Sequence, residues 1–271
     1  MDHHNWGDLL KEIYEDYQLC LHRPSEYKLK VDSISDLFAL RGKKRFKSDN
    51  CAVYVVGRFQ YAPIVMFGVN PGYSRKNNPV EEMEARKSWQ HYRNLYYNFF
   101  RFFALNEFES PYYTALWHLL SGLTGTNIPK ERKWDLFNKY LCNLELIPYH
   151  SEGISLPSIL TAKQFEYLKN RYKSNIEFIE PYNPKLYIFN GRIWKTLLIK
   201  PNLIKEYLKF PVSPEFNIYF FELAGIPSVL FDKFFQRHFW GITNHDRMVT
   251  IPKLIHTKFK DISKHLSIIK C

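Results

Sequence analysis

One stretch constrains this chain more than any other. Pro63-Ile64-Val65-Met66-Phe67-Gly68-Val69 is an almost unbroken apolar run, and it stops at Asn70-Pro71-Gly72. A run this short and this apolar predicts a strand covered on both faces, because a half-buried strand alternates apolar and polar side chains. Pro71 fixes one φ angle and removes a backbone donor, while Gly72 lets the chain pass close to a ligand. Asn70 is thereby expected at the strand's carboxyl end. Taken alone, Asn-Pro-Gly also suits a plain strand-to-helix turn.

The pattern repeats along the chain. Residues 52–57 read as a strand joined to 63–69 by a short turn, and 141–147 and 186–189 read as further strands. Residues 218–221 and 228–231 read as a hairpin around Gly225-Ile226-Pro227, and 239–243 as an extended run. Helical periodicity covers 6–21, 89–107, 112–124, 130–141 and 161–180. One or two short helices are expected in 192–208, and Pro252 opens a last one toward Ser267. A charged loop is expected after the Asn70 turn, and 22–50 reads as basic and mixed. Alternating strands and helices predict an α/β fold, a three-layer α/β/α sandwich around a mostly parallel sheet of short strands. Residues 1–50 are expected as a helical, basic extension packed on a domain spanning 51–271. In such sheets ligands bind beyond the carboxyl ends of the strands. Four of these ends carry polar clusters: 70–74, 143–151, 190–192 and 244–247.

Charge points to the kind of partner. Lys plus Arg number 38 against 27 Asp plus Glu, a net +11, which favours a polyanion. The segment Arg41-Gly42-Lys43-Lys44-Arg45-Phe46-Lys47 is either a solvated loop or a phosphate-contacting arm. The ring-rich stretch 92–103 offers Tyr96 and Phe99 as platforms for a base, with ordinary helix core as the other reading of those rings. Cys20, Cys51, Cys142 and Cys271 form no CxxC pair and sit at no zinc-finger spacing, so reduced thiols, no metal and no cofactor are expected. No apolar run reaches about 18 residues and the N-terminus is unlike a signal peptide, so a cytoplasmic or nucleoid-associated protein with no membrane contact is expected. It is also expected to be a monomer.

Gly68-Val69-Asn70-Pro71-Gly72 resembles the first motif, Gly-Ile-Asn-Pro-Gly, of the mismatch-specific branch of the uracil-DNA glycosylase superfamily. The likeness continues in order. Asn143-Leu144-Glu145-Leu146-Ile147-Pro148 resembles the strand whose Asn reads the flipped base. Pro184 to Gly191 resembles the family's fourth strand and its Gly turn, and Asn244-His245-Asp246-Arg247 stands in place of the second motif without its usual Pro-Ser. The resemblance spans about residues 52–265 and implies a monofunctional DNA glycosylase. Such an enzyme flips a damaged or modified base out of DNA, duplex or single-stranded, and hydrolyses its N-glycosidic bond, in repair or in defence against modified phage DNA.

By that resemblance Asn70 orients the attacking water and His245 donates a hydrogen bond to the departing base, with His238 as a competing candidate. Gly68, Val69, Pro71, Gly72, Tyr73, Asn143, Tyr149 and His150 would line the base pocket. Ser74, Arg75, Lys76, Asn190, Gly191, Asn244, Arg247 and Met248 would touch DNA, the last two as the wedge. By residue type alone Asn143 equally caps a helix, and His245 equally caps one or contacts a phosphate. An amide cannot act as a general base, and the fast branch has Asp in place of Asn70, so the implied rate is modest. Gly72 stands where the uracil-selective branch has a Tyr that blocks the C5 side of the pyrimidine. Its absence implies room for a C5-substituted base, with Tyr73 partly restoring the wall. The rival expectation is a nucleic-acid-binding module that keeps the fold without catalysis.

Overall fold

A computed structural model describes residues 8–72, 74–108, 110–126, 128–152, 156–157, 159–201, 203–233 and 241–260. The chain is an α/β protein with the layering of a three-layer sandwich. Among the described residues it has ten α-helices and seven strands, and the strands form one mixed sheet in the order β1-β3-β2-β4-β7-β6-β5. The strands are β1 Val55–Gly57, β2 Ile64–Gly68, β3 Leu141–Glu145, β4 Leu186–Asn190, β5 Leu208–Ser213, β6 Phe216–Leu223 and β7 Ile226–Phe231. β4 pairs in parallel with β2 and β7, starting at Ile64↔Leu186 and Tyr187↔Ser228, while β6 pairs antiparallel with β5 and β7. No helix among the described residues is long and apolar enough to cross a membrane.

The chain divides into two compact units that interleave along the sequence, Met1–Val56, Gly68–Tyr97 and Leu144–Pro181 making the first, and Gly57–Phe67, Asn98–Asn143 and Tyr182–Cys271 the second. In the first, α1 (Asp8–His22) buries Leu9, Ile13, Tyr17 and Cys20, a stripe at helical spacing. α2 (Pro24–Leu37) starts with proline in its first turn, where the missing N–H costs nothing, and buries Tyr27, Val31 and Ser35. α3 (Asn78–Ala85) and α4 (Trp89–Tyr97) follow the Asn70 turn. α8 (Ala162–Ile179) begins in a capping box, Thr161 with Gln164, and its buried stripe includes Arg171 and Asn175.

The second unit is built on apolar strands. Phe67 of β2 stacks on Phe189 of β4 with centroids 4.5 Å apart, and Trp194 closes edge-on against both. β6 and β7 turn through Ala224-Gly225, both at positive φ (51° and 76°), the two-residue hairpin geometry that matches strand twist. α5 (Phe99–Leu105), α6 (Pro111–Thr124) and α7 (Lys133–Tyr140) pack an aromatic cluster of Phe100, Phe103, Tyr113, Trp134 and Phe137. α9 (Arg192–Trp194) and α10 (Ile251–Lys258) complete the unit. A Cβ on Gly122 of α6 would lie 2.0 Å from the backbone oxygen of Met248. Alanine stabilises an ordinary helix position by about 1 kcal/mol over glycine. Here Gly122→Ala is expected to cost about 1–3 kcal/mol, because backbone must move. The urea midpoint should fall with an unchanged m-value, and a rise would show that the helix yields freely.

Several expectations are corrected. α2 lies within the stretch 1–50 expected to be helical and basic, whereas the charged stretch after the Asn70 turn, expected as a loop, contains α3. β1 and β2 are not neighbours, since β3 lies between them. The short helices expected in 192–208 are α9 and the π-helical turn Lys195–Ile199, with β5 starting at Leu208, but the described end of the run 239–243 is not strand. Tyr96 and Phe99 are core: Tyr96 packs on Tyr92, and Phe99 lies 4.3 Å from the Phe103 ring. Neither offers a face to a base.

Candidate functional site

Two strand ends meet in the first unit. Backbone bonds carry the parallel pairing past β2 and β3, from Leu146 N to Gly68 O (3.2 Å), Ile147 N to Val69 O (2.9 Å) and Ser151 N to Pro71 O (3.3 Å). Gly72 bridges to Ser151 beyond them. The turn that ends the apolar strand is therefore braced along its length by the segment Pro148–Ser151.

Asn70 is fixed by this brace. Its Nδ2 donates toward Ser151 Oγ (2.9 Å), Pro71 O (2.9 Å) and Tyr149 O (3.3 Å). An amide NH2 carries two hydrogens, so three acceptors saturate it and set which way the amide faces. The remaining polar atom of the side chain is Oδ1, a pure acceptor. Asn70 and Pro71 are half-buried and Gly72 is exposed, with open space where a Cβ would go. The reverse holds at Gly68, where a Cβ would meet the Glu145 carboxylate within 2.4 Å. Glycine there lets a buried carboxylate lie against the motif's backbone, and Asn175 Nδ2 holds the Glu145 carbonyl at 3.1 Å.

His150 braces the loop beyond the turn. Its Nδ1 lies 3.0 Å from Gly72 O and 3.2 Å from Asn78 Nδ2. A carbonyl can only accept, so the shorter contact requires the proton on Nδ1 and leaves Nε2 as the acceptor. Asn78 Oδ1 accepts from Ser74 N at 2.5 Å, so its NH2 is the group that faces His150 Nδ1. Burial holds the His150 imidazole below its ordinary titration range, only partly offset by Gly72 O. The nearby Glu81 is the opposite case: burial pushes its carboxyl up to about 8, against the hydrogen bond from Tyr96.

These two shifts make a pH prediction. The folded pKa of His150 is depressed, so its contribution is full above about pH 6.5 and is lost as pH falls. The folded pKa of Glu81 is raised, so its contribution is full below about pH 4.5 and is lost as pH rises through about 8. Unfolding free energy is expected to decline by a few kcal/mol at most from pH 6 to pH 9. Glu81→Gln should flatten that decline, as read from urea midpoints across the range. An unchanged slope in the variant would contradict the assignment.

Tyr149, expected to line a pocket, points into the core instead. It is 2 % exposed, packs edge-on to Tyr27 and near Phe46, and donates its hydroxyl to Asp16 Oδ2 at 2.9 Å. Only its carbonyl reaches Asn70. Asp16, fully buried on α1, also accepts from Tyr54 (2.7 Å) and from Lys30. Arg171 pairs with Glu12 and lies over the Tyr54 ring, completing a buried polar network.

The basic segments divide by role. Arg45 is committed to Asp32 (2.9 Å) and Asp36 (2.7 Å). Lys47 donates its backbone N–H to His150 O at 2.8 Å, and its ammonium shares Glu152 with Arg75, at 3.4 and 3.6 Å. Lys47, Arg75 and the exposed Lys76 thus rim the Gly72–Ser151 end of the turn, and Ser74 is half-buried behind them.

The remaining expected residues belong to the second unit. Asn143 is buried on β3, 3.5 Å from the Tyr112 hydroxyl. Asn190 and Gly191, expected at DNA, are buried at the end of β4, where Gly191 N bonds Phe231 O. Asn244 to Arg247 do not form a loop after a strand. They open a helical segment capped by Thr243, whose N–H and hydroxyl donate to Asp246 (2.9 and 2.7 Å), and residues 246–250 form a π-helical turn before α10. Burial pushes the Asp246 carboxyl up, but the bonds from Thr243 and Thr250 outweigh it and hold it below the usual range. Asn244 and His245 are exposed. Arg247 is not a surface wedge: it is 0 % exposed, its Nη1 on Asn244 Oδ1 at 3.0 Å, and Met248 is half-buried. Tyr73 and His238 lie outside the described residues.

Sequence reasoning missed Ser151, Glu145, Asn78 and Asp16. Ser151 and Glu145 carried a signal, because both fall in the polar cluster 143–151 at a strand end. Neither a family model nor a curated protein matches the chain.

Proposed function

We propose that this chain is a monofunctional DNA glycosylase of the uracil-DNA glycosylase type, acting on a uracil-like or C5-substituted pyrimidine. One observation carries it: an Asn at the carboxyl end of a central parallel strand, its NH2 saturated by three acceptors, so that Oδ1 is held in one direction. Such an oxygen accepts a hydrogen bond from one water and aims that water's lone pair. The water attacks C1′ of the flipped nucleotide, the N-glycosidic bond breaks, and the base leaves as an anion that then takes a proton. Positive charge builds on the sugar in the transition state, and the Glu145 carboxyl oxygens lie against Gly68 at the start of the same motif. Open space at Gly72 admits a substituent at C5. Lys47, Arg75 and Lys76 supply phosphate contacts that carry affinity without sequence information.

The rival is a binding module without catalysis, favoured by the amide at position 70, which accepts no proton. Labelled duplexes bearing uracil, hypoxanthine, thymine mismatches or modified cytosines, treated with alkali after incubation, separate the two. Strand breaks at one such base support the glycosylase. Salt-dependent binding with no breaks on any substrate supports the module, and binding indifferent to salt contradicts both. The same assay on His245→Gln tests the donor expected from sequence.

A further inference from the structure

Two cysteines that play no part in the site lie side by side. Cys20 of α1 and Cys51, just before β1, have their sulfurs 3.5 Å apart, and both residues are buried, at 2 % and 0 % exposure. Cys51 Sγ donates toward Cys20 Sγ. On the other side of Cys20, Arg86 Nη2 lies 3.4 Å from the sulfur. Arg86 is itself held by Glu82 Oε1 at 2.5 Å and by Asp49 O at 2.8 Å, and Glu82 Oε2 accepts from Cys51 N at 2.9 Å. One guanidinium, one carboxylate and two thiols thus form a closed cluster, near enough to Tyr17 and Tyr92 to act on them electrostatically.

We propose that Cys20 and Cys51 form a reversible dithiol–disulfide pair oxidised by hydroperoxides, with Cys20 attacking and Cys51 resolving. The asymmetry follows from the neighbours. The Arg86 guanidinium, 3.4 Å from Cys20 Sγ, faces the sulfur on which negative charge gathers as it attacks. Arg86 is 39 % exposed, so the approach to Cys20 lies along its side chain. The hydrogen bond to Cys20 and burial both push the Cys51 thiol up, so Cys51 keeps its proton until Cys20 has reacted.

In the first step the Cys20 thiolate attacks the outer peroxide oxygen and the O–O bond breaks. Cys20 becomes a sulfenic acid, and the departing alkoxide or hydroxide takes a proton. In the second step the Cys51 sulfur attacks the Cys20 sulfur. The S–S bond forms, the S–O bond breaks, and water leaves with the Cys51 proton. Two thiols and one hydroperoxide give one disulfide, one alcohol (or water) and one water. A small dithiol reverses it by exchange. The disulfide ties α1 to the segment entering β1.

Cys20, Cys51 and Glu82 also place three ligand atoms within 4.8 Å of one another, the spacing of a metal site. The Arg86 cation already occupies the space between Cys20 and Glu82, and a divalent ion would meet it as a like charge.

The test is a peptide map of the full chain under non-reducing conditions after one equivalent of hydrogen peroxide. The expected product is a Cys20–Cys51 linked peptide that dithiothreitol removes, with two of the four thiols lost from titration. Cys51→Ser should stop at a Cys20 sulfenic acid that dimedone traps, and Arg86→Gln should slow oxidation about tenfold. Three outcomes overturn the proposal. Both thiols survive excess peroxide; Cys20 runs on to sulfinic acid in the unmutated protein; or both thiols are protected until a chelator is added, which assigns them to a metal. The unmutated protein decides among these alone, so a variant that fails to fold does not block the test.

Discussion

Asp16→Ala is expected to lower the free energy of unfolding by about 3–5 kcal/mol. Asp16 is fully buried and takes hydrogen bonds from Tyr54, Tyr149 and Lys30. Burial raises both phenols well above their ordinary range, and the Asp16 charge adds to this, so both remain donors. Truncation leaves the buried Tyr149 hydroxyl without its acceptor, at about 1–3 kcal/mol, and leaves Tyr54 only its longer bond to Glu12 Oε1 (3.2 Å). The Lys30 side chain is 36 % exposed and can turn to water, which keeps the loss near the lower figure. Asp16→Asn keeps the shape and one acceptor and is expected to lose about half as much. Urea midpoints for the three proteins check this. A loss under about 1 kcal/mol for the alanine variant would show that the network holds nothing together. The consequence reaches the site, because Tyr149 is also the residue whose carbonyl receives the Asn70 amide.

Asn70→Ala is expected to reduce base excision about 10²–10³-fold, the usual effect of removing one fixed polar group from a reacting centre. Asn70→Asp is expected to be no rescue. Asparagine here donates to two backbone carbonyls and to Ser151. A carboxylate would set a negative oxygen against the Pro71 and Tyr149 carbonyls, and only the Ser151 hydroxyl could turn to donate. Both changes should leave DNA affinity within about threefold, because phosphate contacts supply most of it. Far-ultraviolet circular dichroism and a urea midpoint separate lost chemistry from lost fold. An Asn70→Asp variant faster than the original would contradict the orientation argument.

What the sequence made legible follows from what is local. β2 and β4 were readable because strands buried on both faces are continuously apolar, and all of Ile64–Phe67 and Leu186–Phe189 is fully buried. α8 was readable from its period and its Thr161–Gln164 box. α2 was not, because charges outnumber its three buried positions. β5 was not, because Pro211 and a largely exposed strand read as a loop, and an edge strand tolerates both. The Asn70 turn could be named, but its bracing by Ser151 depends on β3 lying beside β2, a pairing that no spacing encodes. Asp16 sits on the apolar stripe of α1 next to Tyr17, and nothing local separates a network carboxylate from a solvated one. Arg247 shows the reverse failure, a charged residue assigned to the surface whose guanidinium is fully buried.

The central claim is hydrolysis of an N-glycosidic bond at the Asn70 turn. It is tested most directly by mass spectrometry of the free base released from modified duplexes, with the unmutated protein and Asn70→Ala side by side. The expected result is one pyrimidine base appearing in step with abasic sites, and its release falling about 10²–10³-fold in the variant. Equal release by both proteins, or no free base from any duplex while salt-dependent binding persists, would contradict it.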